Sequence, residues 1–433
     1  MKFNLSIVFL LLMNFIKAQE ELSLEKAINY ALEHKAEAVK AKLNYENSEY
    51  QIAQVRSAAL PQINASGNLA YNPLLQEISI LGKNIKMGKN WSTSAGISLH
   101  QQIFNQGVFI GLKAARTTRE FYALNQQMTK ENLIERVATA YYQVYQTKQK
   151  LLTIENNLNS TTKTRNVLDG LFKSGLAKKI DLDRMNVAIN NLQATKQQII
   201  NALQLQEHGL KFIIGMDIDT PITMPKDTFE PKHLLSDENE NIENRTEMKL
   251  IAKQIDMLNL DKKAKLAEYY PTLALTANLA YSGMGNQFPW FSKHQDTNFF
   301  SASSIGLTLN IPIFNGFATR AKVQQAEISI KKAELDQKDT ALAINLDILN
   351  AKTQINNSLL TINTQKENVG LAKQVLANVQ NNYRNGLANL TDLLDAEKAY
   401  TEAENNYTNA LLEYKLAEIK LLKSKGNLHL LTQ

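Results

Sequence analysis

The second half of this sequence repeats the first at a nearly constant offset, and each copy joins two patterns that one compact domain rarely combines. Pro61 returns as Pro271, an offset of 210 (271 minus 61), as do Ala70 and Tyr71 in Ala280 and Tyr281, Gly96 in Gly306, and Phe104 and Asn105 in Phe314 and Asn315. Farther along, Gly175, Leu176 and Ala177 return as Gly386, Leu387 and Ala388, an offset of 211 that also relates Asp181 to Asp392 and Gly215 to Gly426. Two collinear copies separated by one small insertion predict two structural repeats, 20–215 and 247–433, joined by a proline-bearing, acidic link over 216–246. Each copy reads as a long helix, two alternating strands and a helical hairpin longer than a compact domain accommodates.

Residues 1–19 carry Lys2, an apolar run from Leu5 to Ile16 and the small residue Ala18, the pattern of a secretory signal peptide. That run is too short for a membrane helix, and no later stretch has the roughly 20 apolar residues that a spanning helix needs. The chain therefore either avoids the bilayer or enters it as strands. It contains no cysteine, which excludes disulfides, thiolate metal sites and lipid attachment at a cysteine. The net charge of +6 is spread along the chain without a basic tract, so nucleic acid is not an expected partner.

The strands are predicted at about 61–72, 91–104, 271–282 and 301–314. In the first, Ile63, Ala65, Gly67, Leu69 and Tyr71 alternate with Gln62, Asn64, Ser66, Asn68 and Ala70. The second sets Trp91, Thr93, Ala95, Ile97 and Leu99 against serines, Gly96 and His100, and the last two repeat the pattern from Leu273 to Tyr281 and from Ile305 to Ile313. Side chains alternate across a strand, so each has one apolar and one uncharged polar face. Half-buried hairpins in a soluble sheet would look similar. Three features favour a bilayer: length near the 9 to 11 residues of a tilted spanning strand, aromatic residues Tyr71, Trp91, Tyr281, Phe299 and Phe300 gathered at one end, and the export signal. The connecting segments 72–90 and 282–298 read as exposed loops. Four strands cannot close a barrel, and an open edge in hydrocarbon strands its backbone groups, so several copies must combine.

Between Gly111 and Gly170 there is neither glycine nor proline, roughly 58 residues that as a helix extend on the order of 85 Å. The stripe Val137, Ala140, Val144, Leu151, Ile154 and Leu158 keeps helical spacing, and Leu393, Ala396, Tyr400, Ala403, Tyr407, Ala410, Tyr414, Ala417 and Leu421 form an unbroken coiled-coil seam. The remaining faces are rich in Asn, Gln, Thr and Lys and suit water.

These residues resemble the TolC-type outer membrane efflux protein family over essentially the whole mature chain. The resemblance is carried by the opening Leu22 to Ala27, the corners Ala59-Leu60-Pro61 and Tyr269-Tyr270-Pro271, the corners Phe104-Asn105-Gln106-Gly107 and Phe314-Asn315-Gly316, and the turns Ser174 to Ala177 and Asn385 to Ala388. It implies an α+β membrane protein in which long coiled-coil helical hairpins and two β-hairpins are duplicated. A homotrimer then closes a 12-stranded transmembrane β-barrel continued by a periplasmic α-helical barrel, with part of 216–246 in an equatorial belt. It further implies that the turns near 170–183 and 383–395 form a tip. There Gly175, Leu176, Ala177, Gly386, Leu387 and Ala388 would meet a periplasmic adaptor tied to an inner-membrane transporter, while the barrel sits in outer-membrane lipid.

Asp392 and Asp395 match the family's paired aspartates at the tunnel mouth. Their spacing of three places them on one helical face, where repeat one has Asp181 and Arg184. The helix dipole also favours a carboxylate at Asp392 and is enough to explain Asp181, but it does not explain Asp395, so the pair is read as a gate in preference to a cap. The sequence departs from the pattern at Ala388, where the family's best-known member has an arginine, and Arg384 is the nearby substitute. No catalytic constellation, cofactor motif or metal-ligand spacing is apparent among the six histidines and the remaining polar residues, so an enzyme is not expected. The alternative from another class is an exported periplasmic coiled-coil scaffold without a pore.

Overall fold

The computed structural model describes residues 21–225, 241–290 and 297–432. The segment read as a signal peptide and part of the 216–246 link lie outside them. The helices are α1 (Leu24–His34), α2 (Ala36–Ser57), α3 (Gln106–Lys173), α4 (Lys179–Ile214), α5 (Thr246–Ala267), α6 (Ala318–Arg384) and α7 (Leu390–Ser424). The strands are β1 (Gln62–Tyr71), β2 (Glu77–Ile80), β3 (Lys83–Lys86), β4 (Trp91–Phe104), β5 (Thr272–Gly285) and β6 (Asn298–Asn310). Two compact units result. One draws on the segments up to Leu43, Leu124–Lys249 and Lys338 onward, the other on Asn44–Ala123 and Leu250–Gln337, so each takes pieces from both repeats.

The first unit is helical. Ser23 opens α1 by accepting the Lys26 amide at 3.2 Å, and Ala27, Ile28 and Ala31 at helical spacing are fully buried against Leu133, Val137, Tyr141 and Val144 of α3. Farther along α3, Ala140, Thr147, Ile154, Thr161 and Leu168 are buried at intervals of seven. In α6 the seam Ile344, Ile348, Ala351, Ile355, Ser358 and Ile362 alternates steps of four and three. Against its Ala351, Ile355 and Ile362 lie Ala410, Tyr414, Ala417 and Leu421 of α7, so small and large residues share one core. Such spacing keeps a helix face on its partner over many turns, and each fully buried Leu or Ile contributes about 1.5–3 kcal/mol. All nine seam positions expected in α7 are buried or half-buried. Among the described residues no helix is long and apolar enough to cross a membrane.

The second unit contains an antiparallel sheet of order β1-β4-β5-β6. Its register aligns the apolar sets into one face: Ile63 lies opposite Leu99, Ala65 opposite Ile97, Ile97 opposite Leu279, and Leu275 opposite Leu307. The other face aligns Asn64, Ser98, Asn278 and Ser304. Phe299 lies opposite Gly283 and lays its ring there, so close that a Cβ on Gly283 would come within 2.5 Å of it.

Three local expectations are corrected. The segment 72–90 is not a plain loop: β2 and β3 pair within it, turned at Leu81 and Gly82, both at positive φ. The segment 282–298 is shorter than expected, because β5 continues to Gly285 and β6 begins at Asn298. The strand expected over 301–314 ends at Asn310, short of Pro312, whose ring nitrogen has no hydrogen for the ladder.

Candidate functional site

The turn from α3 to α4 and the turn from α6 to α7 are built alike. Gly175 and Gly386 stand at φ +73° and +71°, a left-handed conformation that glycine alone adopts without a side-chain penalty. The Leu176 amide donates to the Leu171 carbonyl at 2.8 Å and the Gly175 amide to Phe172 at 2.9 Å. In repeat two, Leu387 donates to Asn382 at 2.8 Å and Gly386 to Tyr383 at 3.1 Å. These paired bonds satisfy carbonyls left open at a helix end, and a residue after the glycine usually folds back on the helix. Here it does not: Leu176 is 77% and Leu387 78% exposed. Ala177 and Ala388 are half-buried.

Behind the turns the two hairpins share one small core of Leu168, Met185, Leu390 and Leu393, lined by Ala177, Leu182 and Tyr383. The structure thus brings all six turn residues singled out in the sequence onto two matching turns that close over a common base.

Asp392 sits at the start of α7. Asn389 Oδ1 accepts the Asp392 amide at 2.9 Å, while an Asp392 carboxylate oxygen accepts the Asn389 amide at 3.1 Å, a complete capping box. The capping role foreseen for this residue is therefore present, and its side chain remains exposed. Asp395, one turn on, is exposed and takes no part in the cap. Among the described residues neither carboxylate forms an ion pair. Asp181 lies in the first turn of α4, whose cap residue Lys178 makes no side-chain bond. Burial, and after it the Asp181 charge, hold the Tyr383 hydroxyl above its ordinary pKa. Arg384 is exposed, and near the turns it is Arg184 that bridges the two hairpins, its Nη1 donating to Thr391 Oγ1 at 3.3 Å.

Sequence reasoning missed a ladder of polar pairs between α3 and α7 just past this site. Thr161 Oγ1 donates to Glu397 at 3.0 Å, Asn157 Nδ2 to Thr401 at 2.7 Å, Thr153 Oγ1 to Glu404 at 3.1 Å and Gln146 Nε2 to Asn409 at 2.8 Å. Thr161, a polar residue on the seven-residue core stripe of α3, was the available signal. Glu397 is 5% exposed, and one of its carboxylate oxygens has no hydrogen-bond partner. Burial pushes its pKa up, only partly opposed by the Thr161 bond. A carboxyl raised in the folded state supports the fold fully below its unfolded pKa, and that support is lost as pH rises through the folded value. Glu397→Gln is therefore expected to stabilise the helical unit at neutral pH by about 1 kcal/mol, because the amide carries no charge to desolvate, even though it too lacks a partner at the position of the unpaired oxygen. The gain should vanish at about pH 4, where both residues are neutral. Thermal unfolding followed by helical circular dichroism at the two pH values checks this, and a loss of stability at neutral pH would contradict it.

Among the described residues no cluster of His, Asp and Glu has the geometry of a metal site.

A family model described as "Outer membrane efflux protein" matches this chain twice, over residues 27–216 and 239–427. The outer membrane protein TolC of Vibrio cholerae serotype O1 is 24% identical over 388 residues, spanning 87% of this chain and 84% of that protein. TolC of Escherichia coli K12 is 22% identical, spanning 88% of this chain and 77% of that protein. Among solved structures, the outer membrane protein VceC of Vibrio cholerae matches with a TM-score of 0.75 at 17% identity, covering 93% of this chain and 96% of that one. The CmeC outer membrane channel of Campylobacter jejuni matches with a TM-score of 0.76 at 15% identity, covering 93% and 85%.

Proposed function

Because this chain belongs to the outer membrane efflux protein family, we propose that three copies assemble into one channel-tunnel that passes substrates from an inner-membrane transporter and its periplasmic adaptor to the cell exterior. The observation that carries this reading is the sheet. Its apolar face continues across all four strands, with Ile97, Leu279, Ile305 and Leu307 at 52%, 55%, 82% and 65% exposure. Among the described residues its outer strands β1 and β6 each have one neighbour, which leaves two ladder edges open. A bare apolar face is what lipid contacts, and an open edge in lipid costs several kcal/mol per unpaired group. Pairing β6 of one copy with β1 of the next removes both edges, and three copies give twelve strands. The polar, uncharged second face then lines the lumen.

The tips carry the proposed contacts with the adaptor. Gly175 and Gly386 set the turn, Ala177 and Ala388 anchor it, and Leu176 and Leu387 project as matched apolar knobs.

Asp392 and Asp395 are the proposed gate. Three copies place six carboxylates around one entrance, where confinement strengthens their field and raises the local cation concentration. The expected pore prefers cations and is blocked from the tip side by divalent or trivalent ions. In single-channel recordings from lipid bilayers, Asp392→Ala with Asp395→Ala should relieve the block and reduce cation preference, while Asp181→Ala does much less. Asp392→Ala also removes one capping bond, at a cost of about 1 kcal/mol, so Asp392→Asn serves as the milder control. Unchanged block and selectivity in the double variant would reduce both residues to helix-end roles and put the gate elsewhere.

A further inference from the structure

Where α3 and α7 meet behind the turns, four residues close a polar circuit. The Thr401 hydroxyl donates to the Glu397 carbonyl at 2.9 Å, which leaves Thr401 Oγ1 to accept from Asn157 Nδ2 at 2.7 Å. That turns Asn157 Oδ1 toward the Thr161 hydroxyl, 3.2 Å away. The same hydroxyl lies 3.0 Å from Oε2 of the Glu397 side chain. A hydroxyl carries one hydrogen, so two acceptors compete for it. The second side-chain oxygen of Glu397, Oε1, has no partner at all among the described residues.

The circuit is one hydrogen short, and a proton on Glu397 supplies it. The carboxyl O–H then donates to Thr161 Oγ1, the Thr161 hydroxyl turns to Asn157 Oδ1, and the atom left without a partner is a neutral carbonyl oxygen. At 5% exposure the difference matters, because an unpaired buried charge costs far more than an unpaired neutral atom. Among the described residues no cation takes the proton's place. On α3, Arg165 donates to Asn186 at 3.1 Å and lies 4.0 Å from Asp169, and on α4, Arg184 donates to Thr391. On α6, Lys366 and Lys373 lie between the residues that pack on Ala410 and on Leu393, and both are exposed. On α7 itself Asp395 and Lys398 are exposed, and Glu404 accepts the Tyr400 hydroxyl at 2.5 Å. Burial first, and that bond after it, push the Tyr400 hydroxyl up to about 12, so it keeps its own proton. What acts on the Glu397 carboxyl is burial, opposed by the Thr161 bond.

We propose that Glu397 is a proton-operated latch between α3 and α7: it keeps a proton while the two helices are paired, and its release of that proton to water loosens the pairing and lets the tip open. The proton site stands on the helices of one copy, while its control of the tip rests on the reading that the turns close a tunnel. Acid holds the latch shut and rising pH releases it, because the paired state binds the extra proton. Beyond the pH at which Glu397 gives up its proton, the open-to-closed ratio should rise about tenfold per pH unit for each copy that opens.

Two measurements on the full-length protein in detergent and in lipid bilayers test this. Infrared spectra at about pH 6, where an ordinary glutamate is ionised, should show the carbonyl stretch of a protonated carboxyl that fades as pH rises and that Glu397→Gln removes. In single-channel recordings, closed dwell times should shorten as pH rises in the unaltered protein. Glu397→Gln, whose amide donates to Thr161 as the protonated carboxyl does, should keep the long closed dwells at every pH. Asp392→Ala with Asp395→Ala should leave that pH dependence in place. Absence of a protonated-carboxyl band that depends on Glu397 would overturn the proton site and the latch together. A band present with identical pH dependence in the Glu397 variant and the unaltered protein would overturn the latch. No channels from either protein would sink the tunnel reading and the control of the tip with it, while the infrared band still decides the proton.

Discussion

Leu279→Arg is expected to abolish outer-membrane assembly, leaving the folded trimer below a few per cent of its normal yield. Leu279 lies opposite Ile97 in mid-strand, with its side chain 55% exposed on the apolar face. A charge near the midplane on the lipid side of a barrel costs about 2–4 kcal/mol. Three copies incur it together, and the free energies combine before closure can recover the edges. The neighbouring Asn278 lies opposite Ser98 and Ser304 on the polar face. Asn278→Arg should therefore assemble and shift ion selectivity instead. Heat-modifiable migration of the outer-membrane fraction reads out both variants. A normal yield of the Leu279 variant would mean that this face does not meet lipid.

Leu176→Glu combined with Leu387→Glu should abolish efflux, measured as at least a hundredfold loss of resistance or export, while trimer yield stays unchanged. Both side chains are more than three-quarters exposed, so the fold loses little when they change. Apolar residues presented on a rigid turn can carry 2 kcal/mol or more of partner binding each. Each single substitution should show an intermediate loss, because the turns match. Full efflux in the double variant would remove these residues from the adaptor contact.

The duplicated architecture was legible because its signals are collinear and local. Pro61 and Pro271 start strands, Gly175 and Gly386 end helices in left-handed turns, and the Leu393 to Leu421 seam keeps its period through the whole of α7. The alternation of β1 and β4 also fixed which residues share the apolar face, since a one-residue slip would move Ile63 and Ile97 to the polar face. What escaped depends on neighbours in space. Strands of four residues such as β2 and β3 offer too short an alternation to separate from a loop. Glu397 lies one position beyond the seam residue Ala396, and only the packing of α3 against α7 shows that it is buried against Thr161. The sequence likewise favoured the gate over the cap at Asp392. The capping box with Asn389 accounts for its place in the helix, and its side chain remains exposed.

The central claim is that this chain closes its barrel only with two further copies of itself. Multi-angle light scattering of protein extracted from the outer membrane, with the detergent contribution subtracted, tests it most directly. Three chains per particle, stable to mild heating and collapsing to one chain on boiling, is the expected result. A stable single-chain particle, or recovery of the protein in the soluble fraction without detergent, would contradict the account.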